Sequence, residues 1–236
     1  MQINVDLGEG GEFDKFFMSH IHICSIACGG HYGNINTIKK TINTAKLYNV
    51  KVGSHPSYPD KINFGRQSYK IKLNEFQDSL FRQLSNFKKA LDECSIEWHH
   101  CKAHGALYND ITSRNSLSLA YLEVLSEFND IQNLILPANK EIIQIAESIG
   151  FNVIKEVFAD RKYNNSLSLI SRNNKNAVIE SLDDFINNFS NLINGKIFFP
   201  DGTYQSLDFD TICLHSDTKN SKKFISIMKN KLNNSS

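Results

Sequence analysis

The stretch Ile23-Cys24-Ser25-Ile26-Ala27-Cys28-Gly29-Gly30-His31 decides the architecture. A short apolar run ends in two glycines and a histidine. Asn34 then opens a segment in which Ile35, Ile38, Ile42 and Ala45 share one helical face. The same strand, turn and helix pattern recurs on both sides of it. Residues 3–7, 50–53, 98–101, 134–136, 153–158 and 211–214 form further short apolar runs bounded by turn residues. Such runs suit parallel strands covered on both faces. Between them, Asn74 stands three before Gln77 like a capping box, ahead of Phe76, Leu80, Leu84, Phe87 and Leu91. Asn139 is expected to open a helix over 142–149, with Gly150 just past its end. Ser181 with Asp184 opens another, carrying Phe185, Phe189 and Leu192 and closed by Gly195. A last helix spans about 220–232 with Phe224, Ile225 and Met228, and the polar tail is expected to fray. Asp201-Gly202 reads as a hairpin or tight turn. The alternation predicts an α/β fold with about seven parallel strands in one domain over residues 1–236. A barrel and a doubly wound sheet both satisfy it.

The composition narrows the function classes. The 236 residues suffice to bury a large core. Lys plus Arg number 26 and Asp plus Glu 25, a formal net charge of +1, which gives no electrostatic case for nucleic acid or an anionic membrane. Five cysteines are too few for a disulfide scaffold and suit a reducing compartment. The start, Met1-Gln2-Ile3-Asn4-Val5-Asp6, lacks the basic and apolar regions of a signal peptide. No apolar run reaches the ~20 residues that span a bilayer. A soluble, cytoplasmic protein is expected.

Chemistry is suggested by where the polar residues fall. Six of the runs end in ionisable residues: Asp6 and Glu9; His31; His55; Lys102 and His104; Glu156, Asp160 and Arg161; His215 and Asp217. In parallel α/β folds all strand C-termini lie at one edge, where active sites form. A lone Asp160 or Asp217 would read as a turn former or cap, and Glu9 as a first-turn residue. Four histidines just past strands, with carboxylates beside them, are hard to explain that way. His20, His22, His99 and His100 have no comparable position and read as structural. The cluster suits either a divalent metal, which takes His nitrogen with Asp or Glu oxygen, or metal-free acid–base chemistry. Lys102 is expected beside His and Glu156, placed to bind a carboxylate or polarise a carbonyl. Cys28, next to Gly29, is a candidate exposed thiol, whereas Cys24, Cys94, Cys101 and Cys213 read as small buried residues. Gly8-Glu9-Gly10-Gly11 is not a phosphate loop, and no Gly-Lys-Ser or Gly-Lys-Thr follows a glycine-rich turn.

Several blocks resemble the LamB/YcsF family: Asp6-Leu7-Gly8-Glu9-Gly10, Ile26-Ala27-Cys28-Gly29-Gly30-His31, Gly53-Ser54-His55-Pro56-Ser57-Tyr58-Pro59-Asp60, Phe64-Gly65-Arg66, Lys102-Ala103-His104-Gly105-Ala106-Leu107-Tyr108-Asn109, Glu156-Val157-Phe158-Ala159-Asp160-Arg161-Lys162-Tyr163 and Asp210-Thr211-Ile212-Cys213-Leu214-His215-Ser216-Asp217. They run in order from Val5 to about Asp217. The resemblance implies a seven-stranded (β/α) barrel of the glycoside hydrolase and polysaccharide deacetylase type. It implies ATP-dependent opening of 5-oxoproline to L-glutamate with two further subunits, B and C, which would handle ATP. Gly30, Asn34, Ala103 and Ser216 depart from the family pattern, where Phe, Asp, Pro and Gly are usual.

For such a reaction Asp6 or Glu9 would act with a histidine as base, with His31, His55 and His104 the candidates for base and acid. Lys102, or else Arg161, would hold the substrate carboxylate or developing negative charge. Glu156, Asp160, Arg161, His215 and Asp217 complete the expected substrate-binding set. Asp6, His31 and His55 are the expected ligands of any metal. Two other readings fit the same residues: a metal-dependent deacetylase of N-acylated sugars, and a non-catalytic subunit that delivers substrate.

Overall fold

The computed structural model describes residues 1–138, 140–172 and 174–233. Six parallel strands follow one another around a barrel: β1 (Gln2–Leu7), β2 (Ile23–Ala27), β3 (Lys51–His55), β4 (His100–Cys101), β5 (Asn133–Pro137) and β6 (Asn152–Phe158). An antiparallel hairpin, β7 (Lys196–Phe198) and β8 (Tyr204–Ser206), precedes the seventh barrel strand, β9 (Thr211–Cys213). Thr211 of β9 stands opposite both Gln2 of β1 and Glu156 of β6. That double pairing closes the sheet, so the barrel is realised and the doubly wound sheet is not.

Among the described residues eight helices accompany the strands: α1 (Asp14–Met18), α2 (Ile35–Leu47), α3 (Leu73–Cys94), α4 (Gly105–Asp110), α5 (Asn115–Ser126), α6 (Ile142–Ser148), α7 (Leu182–Leu192) and α8 (Ser221–Asn233). Asn34 caps α2 as expected: its Oδ1 accepts from the Asn36 and Thr37 amides, and Thr37 Oγ1 accepts from the Asn34 amide. Ser181 caps α7 through the Asp184 amide. Asn74 caps nothing. It lies inside α3, which starts one residue earlier after an extended Lys72 that makes no side-chain cap. Asn139 lies outside the described residues. The turn at Asp201-Gly202 closes the β7–β8 hairpin. Helices α1, α4 and α5 have no counterpart among the expected elements. The barrel's return is longer than a short loop, because residues 159–181 separate β6 from α7.

Strand limits shift in ways that matter for the site. β3 extends to His55, so this histidine ends the strand instead of following it. β4 shrinks to His100–Cys101. The chain nevertheless joins the sheet sooner, since the His99 amide donates to Val52 O at 2.9 Å.

The barrel interior is polar toward one end. Lys102, just past β4, reaches Asn4 and Asp6 on β1, and His100 on β4 reaches Ser25 on β2. These pairs join strands that are not neighbours, so the side chains meet across the inside. A Cβ on Gly53 would fall on the His100 ring, so the bare backbone of β3 at that point makes room for it. Among the described residues no helix is long and apolar enough to cross a membrane.

Candidate active site

The C-terminal edge of the barrel opens into a cavity of about 570 Å³, lined among others by Asp6, Glu9, His55, Lys102, His104, Arg161, His215 and Asp217. Eight of the eleven expected site residues therefore share one space. Glu156, Asp160 and His31 lie just behind its wall, bonded to residues that line it.

The centre is Glu9 Oε1. It lies 2.9 Å from His31 Nε2, 3.2 Å from His104 Nδ1 and 3.9 Å from His55 Nε2. His55 Nε2 and His104 Nδ1 are themselves 3.0 Å apart. The His31 and His104 rings stack at 3.6 Å. The remaining nitrogens decide the tautomers. His55 Nδ1 faces Lys102 O at 2.8 Å, and His104 Nε2 faces Phe64 O at 2.9 Å. A carbonyl only accepts, so both of these nitrogens carry protons. In the neutral rings His55 Nε2 and His104 Nδ1 then present lone pairs, to each other and to the Glu9 carboxylate. Three converging lone pairs need a positive charge among them, either a shared proton or a cation. Imidazoles held from behind by backbone carbonyls are also how proteins orient metal ligands.

Among the described residues, Glu9, His55 and His104 form the group whose ligand atoms all lie within 4.8 Å of one another. Their chemistry, one carboxylate oxygen and two imidazole nitrogens, fits a divalent metal. Of the expected ligands Asp6, His31 and His55, only His55 belongs to this group. Asp6 is drawn to Lys102 instead, and His31 spends Nε2 on Glu9.

Beneath this cluster lies a buried ion-pair chain. Lys102 Nζ is 3.0 Å from Asp6 Oδ1, 2.8 Å from Glu156 Oε1 and 3.3 Å from Asn4 Oδ1. Tyr108 OH donates to Glu156 Oε2 at 2.8 Å, and Asp6 Oδ2 lies 3.3 Å from His55 Nε2. The expected neighbours of Lys102 are thus present, but they already engage its ammonium. Burial alone would raise the Asp6 pKa, yet His55 and Lys102 outweigh it and bring it down to about 2. Burial likewise opposes the Glu9 carboxylate, and the imidazoles of His104 and His31 hold its pKa well below the usual range. Burial lowers His31 to about 4 and His55 to about 3. Glu156 goes the other way: its burial raises it more than Lys102 lowers it.

On the far strands, Asp160 is fully buried and accepts from His215 Nδ1 at 3.0 Å and from Thr218 Oγ1. The His215 ring stacks on Phe158. With Nδ1 engaged, Nε2 is the ring atom left for a ligand. Arg161 is also buried, and Asp217 pairs with Arg66 and Arg172 at the rim.

The four histidines read as structural lie elsewhere: His22 Nδ1 accepts from the Ile3 amide, and His20 bonds Phe16 O. Cys28 is not an exposed thiol. It is buried, donates to Ile26 O and accepts from the His55 amide. Cys94 is half-buried and the other three cysteines are buried. Sequence reasoning missed Tyr108, Arg66 and Arg172. The first two sit inside blocks already quoted, whereas Arg172 lies in a polar segment with no pattern to mark it. The four departures leave the cluster intact. At Gly30 a Cβ would fall on the Gln83 carboxamide and the Ser57 hydroxyl, so a phenylalanine there has no room.

Fold and site together define a seven-stranded parallel (β/α) barrel with a carboxylate–imidazole centre at the C-terminal ends of its strands. The LamB/YcsF family model matches residues 1–236, and the chain belongs to that family. It is 34% identical over 223 residues to the 5-oxoprolinase A subunit of Pyrococcus abyssi, covering 92% of this chain and 88% of that one. It is likewise 34% identical over 243 residues to the 5-oxoprolinase A subunit of Oceanobacillus iheyensis, covering 99% and 93%. The crystal structure of a lactam utilization protein from Thermus thermophilus superposes with a TM-score of 0.91 at 24% identity, covering 100% of this chain and 96% of that one. That likeness establishes the shared fold.

Proposed function

We propose that the chain is the lactam-opening A subunit of an ATP-dependent 5-oxoprolinase, converting 5-oxo-L-proline to L-glutamate with B and C subunits. The observation that carries this reading is the convergence of Glu9, His55 and His104 on a cavity of small-molecule size, in a chain whose relatives bear that name. Residues 1–236 would act as one barrel domain. Five free cysteines suit a cytoplasmic setting.

Opening the lactam breaks its C–N bond: the carbonyl carbon gains a hydroxyl from water and the ring nitrogen gains a proton. A divalent cation held by Glu9, His55 and His104 would polarise the carbonyl and acidify a water when bound. With no cation between them, Glu9, kept ionised, is instead the acceptor for the water proton, with His55 Nε2 beside it. His31 fixes the Glu9 carboxylate through its hydrogen bond and the His104 ring by stacking. Asp6 and Glu156 hold Lys102 at the cavity floor, a fixed positive charge near developing negative charge. His215, oriented by Asp160, is placed to protonate the leaving nitrogen. ATP is assigned to the partner subunits, where its hydrolysis offsets the unfavourable opening of a five-membered lactam.

The test is glutamate formation from 5-oxoproline and ATP, with and without B and C. Turnover is expected only with the partners, and Glu9→Gln or His55→Ala should lower it by about 10²–10⁴-fold. Elemental analysis of the purified chain reads metal content independently. Near-normal turnover in both variants would sink this assignment of the site. Chelator-sensitive deacetylation of N-acylated sugars by the chain alone would replace the reading.

A further inference from the structure

Lys102 is the obvious candidate for a substrate carboxylate, but its ammonium is engaged by Asp6, Glu156 and Asn4. The uncommitted positive charge in the cavity lies elsewhere. Arg161 follows β6 and is 6% exposed. Its NH2 donates to Ile170 O at 2.6 Å, while its buried Nε has no partner among the described residues. No carboxylate among the described residues forms an ion pair with it. A buried guanidinium with an idle donor is costly unless a ligand uses it. Burial, together with the charge of Arg172 nearby, brings its pKa down to about 10. Arg172 NH1 and Arg66 NH2 share one oxygen, Asp217 Oδ2, at 3.6 and 2.5 Å. Two guanidinium groups therefore share a single carboxylate while Arg161 has none, and all four side chains line the cavity that holds Glu9, His55 and His104. Phe158 and Leu169 line it too, giving an apolar surface for a ring.

We propose that Arg161 and Arg172, with Arg66 at the rim, form an oxyanion subsite that takes the carboxylate of the lactam acid. The assignment rests on the lactam reading above and adds to it the group that selects an acid over a neutral lactam. A planar guanidinium fork matches a carboxylate with two parallel hydrogen bonds, which an ammonium cannot do. The Asp217 pairs are half-exposed and hence weak. A ligand carboxylate can therefore draw Arg172 away from Asp217 at little cost.

The experiment is calorimetric titration of the full chain with L-5-oxoproline, with 2-pyrrolidinone, which has the ring but no carboxylate, and with inorganic phosphate. Wild type, Arg172→Gln and Arg161→Lys are compared. Arg172 is partly exposed, so its variant should fold even where a change at buried Arg161 does not. The acid is expected to bind at least about tenfold more tightly than 2-pyrrolidinone, with most of that preference lost in Arg172→Gln. If both lactams bind equally and Arg172→Gln changes neither, the subsite is overturned and the lactam reading stands. If neither lactam binds but phosphate binds in an Arg172-dependent way, the lactam reading falls and the oxyanion subsite stands. Absence of binding by all three ligands overturns both.

Discussion

Glu9 Oε1 has three imidazole nitrogens within 3.9 Å, and the sequence shows why they gather but not how they meet. Each of Glu9, His31, His55 and His104 ends or follows a strand, and strand ends share one edge in any parallel barrel. The protonation pattern depends on Lys102 O and Phe64 O, two backbone carbonyls whose positions no residue-type pattern encodes. That is why the group whose atoms converge is Glu9, His55 and His104, of which only His55 is among the expected ligands. The role of Lys102 changed for a similar reason. Its neighbours were legible, whereas their number was not, and with Asp6, Glu156 and Asn4 around it the side chain becomes a buried counter-charge. Lys102→Met would leave two buried carboxylates without a cation, an arrangement that costs about 3–5 kcal/mol. Urea denaturation should show a midpoint lowered accordingly. An unchanged midpoint would mean that Asp6 and Glu156 do not depend on Lys102 for their burial.

Among the elements, the same residue type gives opposite outcomes at two positions. Asn34 is itself extended and turns its Oδ1 onto two helix amides, while Thr37 Oγ1 accepts from the Asn34 amide. Asn74 shares the sequence signature but stands two residues past the cap position, which the extended Lys72 occupies. Spacing alone does not fix which residue leaves the helix. Asn34→Ala should cost about 1 kcal/mol through loss of the cap. Asn34→Asp should hold or raise the melting temperature, since a carboxylate also favours a helix N-terminus. A melting temperature unchanged by the alanine would show that α2 is held by its buried face of Ile38, Ile42 and Ala45 alone. Helix α5 escaped detection for a different reason. It buries Leu117, Ala120, Tyr121, Leu122, Val124 and Leu125 around much of its circumference, so no apolar stripe stands out from a polar one.

Closure of the barrel is a property of the whole molecule, and it was the least legible feature from residues alone. Seven short apolar strands suit an open sheet as well as a closed one, and the difference is whether β9 meets β1. Polar side chains from several strands then fill the inside, which an open, doubly covered sheet would not ask of them. His100 is the clearest of these: fully buried, against Gly53 and 3.1 Å from Ser25 Oγ, with burial holding its pKa well below the usual histidine range. In the unfolded chain this histidine takes up a proton as pH falls through about 6.5, whereas in the barrel it stays neutral. The unfolded state then binds more protons than the native one, so this group's contribution is fully present above that pH. Below it, stability is lost by up to about 1.4 kcal/mol per pH unit until the native pKa is reached. Denaturation of wild type and His100→Gln between pH 7.5 and pH 5, a range of about 2.5 units chosen to bracket the free histidine value, reads this contribution as a difference in slope. The wild type should lose stability more steeply on acidification, even if the variant starts lower. Parallel slopes would show that the native barrel admits a proton at His100 as readily as the unfolded chain does.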